Sequence, residues 1–306
     1  MKRIVLSAGF LCIVFYMLIF PESTYAAALD ALLICAKALL PTLFVFMVCS
    51  NFFVLSGFGK IIKKPFEVVM QPFFGISGAG ALAVALGLIS GYPVGAVCVC
   101  GLYEKNDITK NEAERLLGFT NNSGPLFIIG SVGTVMLQNK NYGYFLCAVH
   151  IVSAVISGMV LRAFREKKSG KEKISSSESI SLSDAVTESV KNALSGILTV
   201  CAYTVLFSII ISMWMFVAGK SPVSLFLSGM IEMSNAIQKL TAAGENIKNL
   251  LPQISFLLGF GGMCVHLQVM NVTKKHKLNL KYYFTGKCLH AIFSVIISFA
   301  LTRVIM

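Results

Sequence analysis

The sequence predicts an all-α integral membrane protein: a polytopic helical bundle with an inverted repeat, two broken helices and a re-entrant hairpin. Three observations lead there. The chain of 306 residues is 56% hydrophobic and only 13% charged, with a mean hydropathy of +0.77. A soluble domain carries about twice that charged fraction. Apolar segments long enough to span a bilayer recur along the whole chain. Two of them hold glycines near their centres, Ser90-Gly91-Tyr92-Pro93-Val94-Gly95 and Gly259-Phe260-Gly261-Gly262. A helix broken inside a bilayer frees N–H and C=O groups that lipid cannot satisfy, so the break survives where it lines a polar cavity. Matching breaks in two halves of a chain point to the substrate site of a secondary transporter.

The elements follow in order. Lys2-Arg3 precede an apolar stretch over 4–20, and Ala26-Ala27-Ala28 follow it. The pattern is signal-like, but the apolar stretch exceeds the ~7–15 residues of a signal core. Residues 1–28 therefore read as a retained N-terminal membrane helix. Residues 29–164 form a first repeat, with spans over 31–56, 75–102 and 142–161 at ~1.5 Å rise per residue. A further apolar stretch, 116–137, is interrupted by Asn121-Asn122-Ser123-Gly124-Pro125. Proline lacks a donor and asparagine with glycine favours a turn, which predicts a re-entrant hairpin inserted over 109–139. Thr109 with Glu112 three residues on has capping-box spacing and opens its first arm. Residues 165–185 are Lys/Ser-rich without apolar periodicity, a basic cytoplasmic linker. Residues 186–306 form a second repeat with spans over 193–218, 251–270 and 282–301. The stretch 225–240 reads as an interfacial helix.

Three blocks recur in the same order in both halves. Leu40-Pro41 through Gly57 matches Ala202-Tyr203 through Gly219, Gly91 matches Gly261, and Tyr142 with His150 matches Tyr282 with His290. The second half is shorter between break and histidine by about the length of the Asn-Asn hairpin, which makes that hairpin an insertion in one half. Net charge is +12. The basic residues sit in short loops, as the positive-inside rule requires, and no base-reading motif points to nucleic acid. With the hairpin entering and leaving on the outer side, Lys60, Lys63, Lys64, Arg162, Arg165, Lys274, Lys275, Lys277 and Lys281 fall inside. The two spans 31–56 and 193–218 then run in opposite directions, as an inverted repeat demands. Lys37 and Lys287 lie within about two turns of a helix end and can snorkel.

Candidate substrate residues cluster at the breaks. Ser90, Tyr92 and Gly95 with Gly91 offer hydroxyl and backbone groups, and Gly261 and Gly262 offer backbone alone. His266 and Gln268 follow, and Asn121, Asn122 and Ser123 supply amides and a hydroxyl at the hairpin tip. Helix N-termini attract anions, and an intramembrane histidine is a functional candidate by default. The plainer alternatives are close helix packing for the glycines, a turn for the asparagines, and a packing role for His266. His150 and His290, equivalent in the two halves, suit helix packing. No Asp or Glu lies in a span core, which argues against a carboxylate proton relay or cation cage. A neutral-to-positive site suits an anionic or uncharged polar solute. Most of the nine cysteines lie in apolar runs as small hydrophobes, and Cys98-x-Cys100 matches no zinc spacing. No nucleotide-binding or protease motif is present, so neither an enzyme, a cofactor nor a metal is expected.

Ser90-Gly91-Tyr92-Pro93-Val94-Gly95-Ala96, the run from Asn111-Glu112-Ala113 through Gly124-Pro125-Leu126-Phe127-Ile128, and Gly259-Phe260-Gly261-Gly262 through His266-Leu267-Gln268-Val269 resemble the YlbJ family of sporulation integral membrane proteins. The similarity covers nearly the whole chain. That family sits in the nucleoside recognition (Gate) group, similar to concentrative nucleoside transporters. The resemblance implies a role in endospore formation, in the cell or forespore membrane, and movement of dipicolinate, a small aromatic dicarboxylate. Nucleoside transporters hold ribose with acids and amides; here Asn121 and Asn122 match the amides, and the acids have no counterpart. The sequence thus predicts an alternating-access transporter of a small polar, anionic solute in the lipid bilayer. A scaffold for spore envelope or cortex assembly and a nucleoside transporter are the rival readings. The coupling ion and homo-oligomerisation stay open.

Overall fold

The computed structural model describes residues 2–165, 181–219 and 221–305, and within them the chain is helical throughout. In order the helices are α1 (Lys2–Ile19), α2 (Pro21–Ile34), α3 (Leu40–Leu55), α4 (Phe58–Phe74), α5 (Ala81–Ser90), α6 (Val94–Glu104) and α7 (Lys110–Thr120). They continue as α8 (Leu126–Met136), α9 (Lys140–Leu161), α10 (Leu182–Ala218), α11 (Pro222–Gly229), α12 (Met233–Ala242), α13 (Ile247–Phe260), α14 (Gly262–Thr273) and α15 (Lys281–Ile305). The body of the expected linker, 166–180, lies outside the described residues. Its last residues belong to α10, whose first turn is capped by the Ser181 hydroxyl accepting from Asp184 N at 3.1 Å.

Four segments are long and apolar enough to cross a membrane: Lys140–Phe164, Leu182–Ala218, Ile247–His276 and Lys281–Val304. Two further pairs are bent, α1–α2 by 107° and α3–α4 by 87°. The chain is an integral membrane protein. Pro21 begins α2, where its missing N–H costs nothing. The N-terminal helix therefore ends at Ile19, and Ala26-Ala27-Ala28 belongs to α2 rather than to a boundary at residue 28. A wider π-wound turn, Cys35–Leu39, joins α2 to α3. Ser208 Oγ donates to Ala27 O at 3.0 Å, and Met47 packs on Gly196. Low numbers on α2–α3 meet high numbers on α10, so the two run antiparallel.

Two expectations about the first half are overturned. The stretch 75–102 is no span. Its two arms, α5 and α6, fold back on each other, and Gly87 and Gly95 both lie against the Thr120 carbonyl. Both ends sit on one side: Gly78 N donates to Glu67 at 2.7 Å, and Glu104 pairs with Lys275 at 3.0 Å. The Asn-Asn segment, conversely, is no hairpin. α7 and α8 together run antiparallel along the whole of α9: Gly118 against Leu161, Phe119 against Gly158, Ser123 on His150, Gly133 against Gly143. It is a broken span. Hydropathy cannot separate the two cases, because a hairpin and an interrupted span contain the same apolar residues.

The side assignment changes with it. The expected capping box forms, Thr109 N donating to Glu112 Oε2 at 2.8 Å. It forms on the basic side, where the Arg115 guanidinium donates to Phe74 O and Gly75 O, each at 2.7 Å, and Glu114 accepts from Asn279 N at 2.8 Å. Lys105, Lys110 and Arg115 thus join Lys60, Lys63 and Lys64, and the bias toward one side strengthens. Nor is 225–240 one interfacial helix. α11 and α12 fold back at Ile231-Glu232, and the tip carbonyls of Met230 and Ile231 accept from Met263 N and Cys264 N at 2.8 and 3.0 Å.

Glycine permits the close crossing of α7 and α15. A Cβ on Gly286 of α15 would collide with the Gly118 carbonyl of α7. Gly286→Ala is expected to cost about 3 kcal/mol or more. Gly130→Ala, where the nearest atom is Leu126 Cδ1 at 3.8 Å, is expected to be neutral or to gain up to ~1 kcal/mol. Thermal unfolding of the two variants in detergent checks the contrast.

Candidate functional site

The hairpin tip, the α7–α8 break and the α13–α14 break converge. Gly91 sits against Gly124, and a Cβ on Gly261 would lie 2.9 Å from the Tyr92 hydroxyl. That hydroxyl donates to Leu258 O at 3.0 Å. The backbone groups freed by the interruptions are met inside this cluster. Ala96 N at the start of α6 donates to Asn121 Oδ1 at 2.9 Å, while Asn121 Nδ2 donates to Leu117 O at 2.9 Å. Ser123 N donates to His150 Nε2 at 3.0 Å. His150 is therefore an acceptor at Nε2, and a neutral ring carries its proton on Nδ1. His290 Nε2 lies 3.0 Å from His150 O and must donate to it, and the two rings pack tilted at 43° with centroids 4.4 Å apart.

Lys287 of α15 occupies the centre. It is 1% exposed, donating from Nζ to Asn121 O at 2.9 Å and to Tyr92 Oη at 3.2 Å, with its Nζ 5.1 Å from the centre of the Tyr92 ring. Among the described residues no carboxylate lies within ion-pair distance of it. Read along the sequence, Lys287 is a snorkelling residue; in the fold it does not reach the interface, because α7 closes over it through Gly118 and Gly286. This is the central buried residue that sequence reasoning missed. Its signal was the glycine preceding it, which lets α7 approach.

Two cavities flank the cluster. The larger, about 670 Å³, opens among Lys274, Lys275 and Lys277 on the basic side and is lined by Pro93, Glu104 and Asn271. The smaller, about 290 Å³, is lined by Ser90, Gly91, Tyr92, Ser123, Glu232 and Gln268. Gln268 borders both. The candidate residues therefore divide. Ser90, Gly91, Tyr92, Ser123 and Gln268 line a cavity. Asn121 and Asn122 are fully buried connectors, and Gly95 is a contact point for Thr120. Gly261 and Gly262 supply left-handed backbone at φ +93° and +76°. His266 borders neither cavity. Its Nδ1 meets Tyr283 Oη at 2.8 Å inside a box of Phe260, Tyr283 and Phe284.

Two electrostatic expectations change. The helix N-termini are already engaged, α14 by the α11–α12 tip and α6 by Asn121 and by Gly91 O and Pro93 O, so they offer an anion little. The basic group at the centre is Lys287. The site is also not free of acid: the α11–α12 tip brings in the buried Glu232, which accepts from Ser234 N and Asn235 N, each at 2.9 Å. All nine cysteines are free.

The chain is 26% identical to the sporulation integral membrane protein YlbJ of Bacillus subtilis strain 168, over 317 aligned positions covering 90% of this chain and 77% of that protein. It is a distant homologue of that protein. No protein-family model matches the chain, and no solved structure does.

Two measurements test the site's internal bonds. Asn121→Ala orphans Ala96 N and Leu117 O and is expected to cost about 1–3 kcal/mol more than Asn122→Ala, whose amide donates only to Phe119 O. Chemical or thermal unfolding checks the order. At the cavity mouth, burial works against the Glu104 carboxylate, but hydrogen bonds from Lys275 and His276 hold its pKa below the ordinary value. A depressed carboxyl stabilises the fold above its ordinary pKa and loses that contribution as pH falls through the folded one. Glu104→Gln is therefore expected to cost under ~1 kcal/mol at neutral pH, since the pair is half exposed, and to flatten the loss of stability below pH 4.5. Melting temperature against pH reads both.

Proposed function

We propose that this protein is a sporulation-associated secondary transporter that moves a small polar, anionic metabolite, of the dipicolinate type, by alternating access. The observation that carries the reading is Lys287: a buried ammonium with only neutral acceptors, placed where three interrupted segments meet. An uncompensated charge at such depth is expensive, and an anionic solute compensates it. The name of the B. subtilis homologue supports the link to sporulation.

The reading includes an inverted repeat, with a pairing that differs from the sequence's. α3 pairs with α10, the α5–α6 hairpin with α11–α12, the α7–α8 broken span with α13–α14, and α9 with α15. Leu116-Leu117-Gly118-Phe119 and Leu257-Leu258-Gly259-Phe260 are identical quartets just before the two breaks, and His150 then pairs with His290. Gly91 pairs not with Gly261 but with the α11–α12 tip. Such a repeat gives two halves that exchange roles across the membrane.

Glu232 favours one second reading. Beside Asn235, Gln268 and the hydroxyls of Ser90 and Ser123, it suits a neutral hydroxylated solute such as a nucleoside. Both its oxygens already cap α12, which leaves it less free than Lys287 to engage a solute.

Uptake into proteoliposomes decides. A small aromatic dicarboxylate is expected to enter faster than a nucleoside or an organic cation of similar size. Lys287→Met should lower that uptake at least roughly tenfold while Lys287→Arg keeps part of it, as loss of a charged hydrogen-bonding partner predicts. Nucleoside uptake alone would favour the second reading. No uptake of any solute by folded protein would leave a scaffold for spore envelope assembly.

A further inference from the structure

The two cavities lie back to back. They share Val200 on α10 and Gln268 on α14. The hairpin tip also divides between them, with Ser90, Gly91 and Tyr92 on the smaller and Pro93 and Val97 on the larger. α14 does the same: Cys264 and Val265 border one cavity, Asn271 and Val272 the other. The wall between them is thus one residue thick at Gln268. Its amide donates from Nε2 to Cys264 Sγ at 3.4 Å, and thiol sulfur is a weak acceptor. Upstream, Gly261 and Gly262 hold left-handed conformations at the start of α14.

We infer that the two cavities are half-routes of one passage reached from opposite faces of the membrane, and that Gln268 is the residue that closes it. The inference rests on the transport reading for its purpose and on the shared lining residues for its geometry. The larger half-route opens among Lys274, Lys275 and Lys277, on the cytoplasmic side by the positive-inside rule. The smaller opens on the other side, below the α11–α12 tip. Closure by a weakly held amide leaves a partition that a polar solute can displace by offering the amide a better partner than sulfur.

The chain supplies its own reporters, since Cys100 borders the larger cavity and Cys264 the smaller. Wild-type protein in inside-out and right-side-out vesicles is treated with membrane-impermeant methanethiosulfonate ethylsulfonate, and modification at each cysteine is read by mass spectrometry. Both thiols are buried, so labelling is slow and is followed over long exposures at alkaline pH. Cys100 should react roughly tenfold faster from the cytoplasmic face and Cys264 roughly tenfold faster from the opposite face, because each borders one cavity. In Gln268→Ala the partition is breached, and Cys100 should become reactive from both faces. Modification of both cysteines from one face overturns the inference, as does the absence of modification from either. Labelling needs no solute, so the two readings fail separately. Sided labelling without uptake of any solute sinks transport and leaves the partition; uptake with both cysteines on one face sinks the partition alone.

Discussion

The constraint on which this structure depends is that a backbone group freed inside the membrane must find a protein partner. Each interruption here is satisfied by another. The α11–α12 tip feeds its carbonyls to the start of α14, Asn121 caps α6, and His150 Nε2 accepts a hydrogen bond from Ser123 N. The interruptions therefore cannot be placed independently. A break in α7 needs a hairpin tip within reach, and the tip in turn needs the break. This mutual supply gathers three irregular segments into one cluster, and it explains why glycines rather than large side chains line the crossings. Backbone must approach backbone, as Gly87 and Gly95 approach Thr120 O.

The same closure decides the electrostatics. Helix N-termini would be the natural anion sites, but their donors are consumed in holding the cluster together. The basic group left at the centre is Lys287, whose acceptors are a carbonyl and a phenol. Both are ligands an ammonium can exchange for an anion without leaving another charge unpaired. A carboxylate partner would have neutralised the site permanently. Glu232, the acid the fold does bring in, has both oxygens occupied by the N–H groups of its own helix start.

Much of this was legible in the sequence, and the misses share a cause. Composition gave the helical membrane class, Thr109 and Glu112 gave the start of α7, and the glycine motifs located the places where helices stop. Direction was not legible. An apolar stretch with a central break reads the same whether the chain turns back or continues, so the hairpin at Gly91 and the broken span at Asn121 were exchanged. Under the proposed repeat, the Leu-Leu-Gly-Phe quartets before Asn121 and Gly261 separate the two cases, because they align break with break. Lys287 was misread for a related reason. Distance from a helix end measures how far a lysine must reach for water, but only if nothing lies across its path, and α7 does. Glu232 was missed because it belongs to no span; a hairpin delivers it.

Packing around α14 gives the arrangement its asymmetry. Most helices here are fixed by crossings so close that a single Cβ would break them, Gly118 on Gly286 and Gly133 on Gly143 among them. α14 instead has a cavity on either flank. Its restraints include two N–H bonds to the α11–α12 tip, the His266–Tyr283 bond inside its aromatic box, and the buried Val265 and Val269. The void on either flank lowers the local cost of displacing its cavity-lining side chains. A partition must move without unfolding its surroundings. Two back-to-back glycines at its start, and interlocked breaks beside it that stay satisfied by one another, allow that motion to be confined to α14.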